Sequence, residues 1–185
     1  LQHKAQYLEK KFALSPGDTV LDIGSNDATL LKGYTTDALR LVGMDPTGAK
    51  FKRFYPEHIT LLPDFFSAEQ FHKAIQAPAK LVTSIAMFYD MESPIDFAKE
   101  IASVLTNDGV WHFEQSYMPS MLRNNAYDTV CHEHLEYYSL HVVDYITKAA
   151  GLEIIDVSIN DINGGSFAVT AAKPGAYPAN RVLID

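Results

Sequence analysis

Short apolar runs alternate along the chain with longer segments whose apolar residues have helical spacing. The apolar runs predict strands at residues 19–23, 39–44, 58–62, 81–85 and 109–114. The helical spacing predicts helices at residues 1–12, 26–34, 68–75, 95–105 and 141–150. Because strands that alternate with helices form parallel sheets covered by helices, the pattern predicts an α/β fold.

The last third of the chain has a different pattern. Residues 115–140 are polar and aromatic without a clear period, and long connections of this kind are often functional. Strand-like runs at residues 152–159 and 166–172 are joined by a glycine-containing turn at 160–165. This spacing predicts a C-terminal antiparallel hairpin.

Composition narrows the class of protein. A chain of 185 residues suits one domain, which we expect over residues 1–175, with 176–185 beginning a further segment or linker of a longer enzyme. The single cysteine, Cys131, and the lack of a long apolar stretch or leader favour the cytoplasm. The net charge of -8 argues against nucleic acid as a partner. We therefore expect a small-molecule substrate, with neither nucleic acid nor a membrane as partner.

An acid and a glycine stand together at the end of the first predicted strand. Asp22 lies within the strand and Gly24 in the turn after it, before the predicted helix at 26–34. Ligands of open α/β sheets bind at this end of the strands, where a glycine allows close approach and a helix start offers free N–H groups. The turn lacks the three glycines of a dinucleotide fingerprint, which disfavours a nicotinamide cofactor.

Further acids and aromatic residues follow the next strands. Asp45 ends the second strand 23 residues after Asp22, a spacing that suits a carboxylate bound to both ribose hydroxyls. Asp64 and Phe65 follow the third strand, where they suit the amino group and one face of adenine. Each residue alone also fits a helix cap or the core, but together they favour an adenosine-containing ligand. The predicted cofactor residues are Asp22, Gly24, Ser25, Asn26, Asp45, Pro46, Asp64, Phe65, Met87 and Phe88.

This arrangement resembles the class I S-adenosylmethionine-dependent methyltransferases. In that family the loop after the first strand holds the methionine part of the cofactor, and the acid after the second strand holds the ribose. The resemblance implies S-adenosylmethionine as cofactor and a Rossmann-like, seven-stranded, mostly parallel sheet. Asn26, Asp27 and Ala28 stand where the family's loop usually carries a further glycine.

Ionisable side chains are concentrated between residues 127 and 139. Three of them, His132, Glu133 and His134, are of types that transfer protons near neutral pH. Cys131 and the two histidines are also zinc-ligand types, but close neighbours seldom converge on one ion and a fourth ligand is not evident, so we predict no metal. The plainer alternative is one buried, hydrogen-bonded histidine and one on the surface.

Two motifs are similar to those of the nucleotide-sugar C-methyltransferases, D-I-G-S-N-D-G-T-L-L and H-E-H-L-x-Y-Y-S. They correspond to residues 22–31, with Ala28 for the last glycine, and residues 132–139. Glu114, Gln115 and the turn at 163–166 match as well. In that family a cysteine-rich zinc-binding segment precedes this domain and another α/β domain follows it. The resemblance implies methylation of a carbon next to the ketone of a nucleoside-diphosphate 4-keto deoxysugar.

Such a carbon must lose a proton before it can accept a methyl group. We predict His134 as the base, Glu133 as its orienting partner or a sugar ligand, and Tyr137 or Tyr138 as donor to the enolate oxygen, with packing as the alternative role of the two tyrosines. Cys131 stands where some relatives carry tyrosine. Two alternatives stay open: an O- or N-methyltransferase of another small molecule, and a non-catalytic nucleoside-binding module.

Overall fold

The computed structural model describes residues 1–180, and of Asn163 it describes only the backbone. Residues 181–185, half of the predicted following segment, lie outside the described residues. The α-helices are α1 (Gln2–Lys11), α2 (Gly48–Phe51), α3 (Ala68–Ile75), α4 (Pro94–Val104), α5 (Met118–Asn124) and α6 (Leu140–Ala149). The strands are β1 (Thr19–Ile23), β2 (Arg40–Met44), β3 (Ile59–Leu62), β4 (Ala79–Ile85), β5 (Leu105–Ser116), β6 (Glu153–Asn160) and β7 (Ser166–Ala172).

Across residues 1–180 the strands form a seven-stranded sheet in the order β3-β2-β1-β4-β5-β7-β6. β2 pairs in parallel with β1 and with β3, whereas β7 runs antiparallel to both β5 and β6. The predicted α/β fold and C-terminal hairpin are therefore confirmed.

The chain divides into two compact units. Unit 1 comprises Leu1–Thr83 and Val104–Thr106; unit 2 comprises Ser84–Ser103 and the described residues from Asn107 onward. In unit 1 all five residues of β1 are buried, as expected for a parallel strand with both faces covered. The carboxyl group of Asp22 lies within this otherwise mostly apolar strand.

The helix predicted at residues 26–34 is wrong. The segment forms turns and a short 3-10 helix, Leu31–Gly33, because Asn26 and Ala28 adopt left-handed φ values of 47° and 62°. An α-helix of L-residues cannot continue through this conformation. The apolar spacing has another use, since it places Leu30 and Leu31 in the core. This loop therefore does not present a helix amino terminus to a ligand.

A buried glutamate fixes the end of this segment to the first helix. Glu9 of α1 accepts hydrogen bonds from the N–H of Thr35 (3.0 Å), the hydroxyl of Thr35 (2.9 Å) and the N–H of Thr36. Nearby, Gly33 lies so close to α1 that a Cβ there would be 2.9 Å from the Cβ of Ala5. The loop is therefore positioned by the Glu9 hydrogen bonds and by the packing of Gly33 on α1, and not by an α-helix.

The core of unit 2 is aromatic. The ring of Phe88 lies 5.0 Å from that of Trp111 and 5.4 Å from that of Phe113, and the latter two rings stack at 4.2 Å. The indole N–H of Trp111 donates to the hydroxyl of Ser84 at 2.9 Å, so its polar atom is satisfied within the core. This cluster fixes the 3-10 turn Phe88–Asp90, which carries residues of the candidate site.

Candidate active site

The first group of predicted residues gathers at the end of β1 in unit 1. Asp22 is buried, and its Oδ1 accepts a hydrogen bond from the hydroxyl of Thr83 at 2.6 Å. Burial raises the pKa of Asp22 to about 7; the Thr83 hydrogen bond opposes this rise and the charge of Asp45 adds to it. Gly24 follows with a left-handed φ of 73°, and its N–H donates to the carbonyl of Met44 at 2.8 Å.

Asp45 ties the loop after β1 to the end of β2. Its Oδ2 accepts the N–H of Asn26 at 2.8 Å, while Oδ1 accepts the N–H and hydroxyl of Thr47 at 2.7 and 2.6 Å. A carboxylate has about four acceptor positions, so one is left. The prediction that Asp45 binds both ribose hydroxyls therefore requires the Thr47 hydroxyl to turn away. Pro46, next to it, is exposed.

A tyrosine that no pattern in the sequence indicates completes this loop. The hydroxyl of Tyr55 donates to the carbonyl of Asn26 at 3.0 Å. Because a phenol has one proton, the hydroxyl of Ser25 is the donor in its 2.7 Å contact with Tyr55. Burial raises the pKa of Tyr55 to about 12, so this hydroxyl stays protonated. Ser25 and Tyr55 are 30 residues apart, and no local pattern links them.

The acid–aromatic pair after β3 lies on the surface of unit 1. The N–H groups of Asp45 and Asp64 both donate to the carbonyl of Leu62, at 3.2 and 2.9 Å, which places the two backbones side by side. The carboxylate of Asp64 accepts the side-chain amide of Gln70 at 3.1 Å, and Phe65 is 72% exposed. Their contacts with adenine stay predictions.

In unit 2, the two residues predicted to cover adenine have different surroundings. Met87 is partly exposed and precedes the 3-10 turn. Phe88 is 1% exposed, inside the aromatic core, and its ring also stacks on that of Tyr138 at 5.3 Å. Phe88 thus anchors residues of the later motif in the core, and its adenine contact stays a prediction.

The later motif docks on the turn that follows β4. The imidazole of His134 lies 4.0 Å from the ring of Tyr89, centroid to centroid, and the N–H of Glu136 donates to the carbonyl of Tyr89 at 3.1 Å. Burial raises the pKa of Asp90, while nearby His134 lowers it and nearby Glu133 raises it. The structure therefore gives His134 two neighbours, Tyr89 and Asp90, that the sequence did not indicate.

Glu133 and the tyrosines have less central positions than His134. Glu133 is fully exposed, and its pKa is lowered chiefly by a hydrogen bond with the side chain of Cys131. Tyr137 is partly exposed, whereas Tyr138 is 2% exposed. The predicted orienting role of Glu133 stays a prediction, and Asp90 is a second candidate for it.

The described residues contain neither a metal-binding cluster nor a membrane-spanning helix. Within residues 1–180, no group of three or more histidine, cysteine or acidic side chains is arranged to hold a metal ion. No helix in the same range is long and apolar enough to cross a membrane.

Comparison with known proteins identifies the family. The sequence profile described as "Methyltransferase domain" matches residues 1–157, most of the chain. The chain belongs to this family. It is 28% identical over 181 residues to the C-methyltransferase NovU of Streptomyces niveus, covering 95% of this chain and 43% of NovU. The chain thus spans less than half the length of this relative.

Solved structures agree with the fold. The cyclopropane synthase MmaA2 of Mycobacterium tuberculosis has a TM-score of 0.71 at 15% identity, covering 92% of this chain and 83% of that one. A SAM-dependent methyltransferase of Aquifex aeolicus has a TM-score of 0.63 at 17% identity, covering 90% and 88%. The Rossmann-like class I methyltransferase fold is therefore confirmed. The family match makes this a methyltransferase domain, and the solved structures with its fold include a methyltransferase that depends on S-adenosylmethionine.

The side chains at the ends of β1 and β2 fit this cofactor. S-adenosylmethionine carries a positive sulfonium and a positive amino group, and a nearby cation favours the charged form of a buried carboxyl such as Asp22. Asp45 retains an acceptor position for a ribose hydroxyl. Gly24 has a left-handed φ of 73°, which residues with a side chain rarely adopt, and as a glycine it has no Cβ between the loop and a ligand.

Proposed function

We propose that this methyltransferase domain methylates a carbon next to the ketone of a nucleoside-diphosphate 4-keto deoxysugar, with His134 as the general base. The relative NovU is named a C-methyltransferase and aligns with 95% of this chain, which favours a carbon acceptor over oxygen or nitrogen. The observation that carries the proposal is the packing of His134 against Tyr89 beside Asp90. The domain limits at 1–175 and the cytoplasmic location stay predictions.

We assign cofactor binding to unit 1. Asp22, Gly24, Ser25, Asn26 and Asp45 hold S-adenosylmethionine there, with Pro46 beside them. When bound, this cofactor supplies an electrophilic methyl group on a sulfonium, whose sulfur keeps the bonding electrons as the methyl leaves. Asp22 contributes negative charge toward the cation, and Asp45 binds ribose.

The acceptor carbon requires a base because its C–H bond is only weakly acidic. His134 takes the proton from this carbon, and the electrons of the C–H bond move into an enolate whose charge lies mainly on the ketone oxygen. Since imidazole becomes imidazolium in this step, a nearby carboxylate stabilises the product of the proton transfer. Asp90 is the positioning residue for this role, and Tyr89 holds the plane of the ring.

The test uses two histidines from the same tripeptide. In the full chain, His134→Asn is expected to lower methylation of a thymidine-diphosphate 4-keto-6-deoxysugar at least 100-fold, the lower end of what a general base contributes. His132→Asn, the matched control, keeps near-normal activity because His132 is exposed. Calorimetry with S-adenosylhomocysteine checks that cofactor affinity is unchanged in both variants. Equal loss of activity in both, or none in either, refutes the assignment of the base.

The chemical class of acceptor is tested separately. Incubation of the wild-type protein with the keto sugar in D2O, without methyl donor, is expected to exchange the proton next to the ketone, and NMR of the full reaction shows a new C–CH3 group. A product methylated on oxygen or nitrogen contradicts the proposal and leaves the fold and cofactor intact.

The pH dependence of kcat/KM tests the proposed role of Asp90 as the residue that positions His134. Asp90→Asn is expected to lower kcat and to move the acid limb of the kcat/KM profile to lower pH, because the imidazolium loses a negative neighbour. A purely structural role lowers activity without moving this limb.

A further inference from the structure

A buried amide in unit 2 has no partner for either of its polar atoms. Gln115, near the end of β5, is 2% exposed. Among residues 1–180, neither its Nε2 nor its Oε1 has a hydrogen-bond partner. Folded proteins pair nearly all buried polar side chains, because each unpaired group loses its hydrogen bonds to water without replacement. Such a residue is therefore a candidate for binding a ligand.

Gln115 lies on the face of β5 that carries the aromatic core residues. Side chains alternate between the two faces of a strand, so Trp111, Phe113 and Gln115 share one face of β5. The first two pack against Phe88. Glu114, on the opposite face, is bonded at Oε1 by the side-chain amide of Asn160 at 2.9 Å. Gln115 thus continues the aromatic face of β5, with an amide in place of a third ring.

A second unpartnered donor packs against the same aromatic core. The ring of Tyr138 is nearly parallel to that of Phe88, with centroids 5.3 Å apart and planes at 19°. Its hydroxyl is buried and has no hydrogen-bond partner within the part of the chain that the structure describes. The carbonyl of Tyr138 accepts the N–H of Met118, three residues after Gln115, at 3.0 Å. Backbone and ring are therefore both fixed while the hydroxyl is left unpaired.

A third group with an unpartnered atom belongs to the turn that carries Phe88. Oδ1 of Asp90 is buried and has no hydrogen-bond partner in residues 1–180. The phenol thus stacks on the ring of Phe88, the carboxylate lies two residues along the same turn, and the amide lies on the face of β5 that packs against this ring. Burial raises the pKa of Tyr138, so its hydroxyl keeps its proton and is able to donate.

These groups have a defined chemical preference. The amide offers two N–H donors and one acceptor, the phenol adds a donor, and neither carries the positive charge that favours binding of a phosphate. They match a neutral ligand that presents an acceptor next to a donor, as a ketone and the adjacent hydroxyl of a sugar ring do. We propose that Gln115 and Tyr138 bind the keto oxygen and a neighbouring hydroxyl of the sugar substrate. This inference rests on the proposed function; it adds Gln115 to the sugar site and selects Tyr138, not Tyr137, as the tyrosine that binds there.

The same two groups also suit the chemical step. When the proton next to the ketone is removed, negative charge grows on the keto oxygen. Buried, fixed donors stabilise such charge more than water does, because they need no reorganisation. Replacing either group therefore slows proton exchange next to the ketone as well as weakening binding.

The test measures affinity for the sugar in the full chain with S-adenosylhomocysteine at saturation, so that no turnover occurs. Gln115→Met keeps the length of the side chain and removes the amide; Tyr138→Phe keeps the stacked ring and removes the hydroxyl. Each is expected to weaken calorimetric binding of a thymidine-diphosphate 4-keto-6-deoxysugar at least tenfold, about 1.4 kcal/mol. Gln6→Met, the same change at an exposed position of α1, is the matched control.

Thermal stability gives a second readout, in which the variant is expected to improve on wild type. Without sugar, Gln115→Met is expected to raise Tm, because it removes an unpaired buried amide; a structural glutamine predicts a lower Tm. Sugar affinity within threefold of wild type in both variants overturns the inference, whatever the change in Tm. A wild-type protein that binds S-adenosylhomocysteine but not the sugar refutes the proposed function itself and the inference with it.

Discussion

The buried carboxyl of Asp22 makes the free energy of unfolding depend on pH. Its pKa is raised from 3.8 to about 7, mainly by burial. At about 1.36 kcal/mol per pKa unit, a shift of this size amounts to roughly 4 kcal/mol, as an order of magnitude. This free energy is the difference between ionising the carboxyl in the folded chain and in the unfolded chain.

The sign follows from which state binds the proton. Below about pH 4 both states are protonated, so Asp22 has no effect on the free energy of unfolding. Between about pH 4 and pH 7 the unfolded chain releases the proton while the folded chain keeps it, and stability falls as pH rises. Above about pH 7 the folded carboxyl is charged as well, and the full destabilisation is present.

Asp22→Asn isolates this effect, since an amide keeps an oxygen for the Thr83 hydroxyl and cannot ionise. Relative to wild type, the variant is expected to be more stable by about 1 kcal/mol at pH 4.5 and by roughly 4 kcal/mol at pH 8. Urea unfolding monitored by circular dichroism at pH 4.5, 6, 7 and 8 gives the difference directly. Asp37→Asn, at an exposed site, is the control. A difference that does not grow with pH refutes the reasoning.

Two further predictions concern unit 1. Gly43→Ala places a Cβ about 2.6 Å from the hydroxyl oxygen of Ser25, so it is expected to displace the loop after β1. Calorimetric binding of S-adenosylhomocysteine should then weaken at least tenfold. An unchanged affinity contradicts the placement of this loop in the cofactor site. Glu9→Ala removes the acceptor of three hydrogen bonds from Thr35 and Thr36 and is expected to lower the free energy of unfolding by about 2–4 kcal/mol in urea titrations at pH 7; a loss below about 1 kcal/mol shows that water replaces the carboxylate.

The strands were predictable because their signals are local. β1 runs over the predicted residues 19–23, and α3 over the predicted 68–75, where Ser67 accepts the N–H of Gln70 as a cap. The error at residues 26–34 arose because apolar spacing reports which side chains are buried and not the backbone path between them. Left-handed turns at Asn26 and Ala28 bury the same positions without an α-helix.

The candidate site was predictable only in part. The motifs indicated Asp22 and His134, since an acid at a strand end and clustered proton-transfer groups are visible in the sequence itself. Asp90, 44 residues before His134, and Tyr55, 30 residues after Ser25, are brought into place by tertiary structure. Pairs at such separations leave no periodic pattern in one sequence.

Some buried polar groups of this molecule stabilise the ligand-free fold and others destabilise it. This difference distinguishes structural residues from binding residues. Glu9 accepts three hydrogen bonds, so its loss leaves donors unpaired and destabilises the fold. Asp22, whose charge is disfavoured by burial, and Gln115, whose amide is unpaired, both reduce the stability of the ligand-free chain. A fold retains such groups when a ligand supplies what is missing; in the function and the sugar site that we propose, this is a cation for Asp22 and a keto oxygen and hydroxyl for Gln115. Substitutions that raise Tm while weakening a ligand therefore mark binding positions, and the predicted gain in Asp22→Asn and Gln115→Met is as informative as the expected loss of affinity.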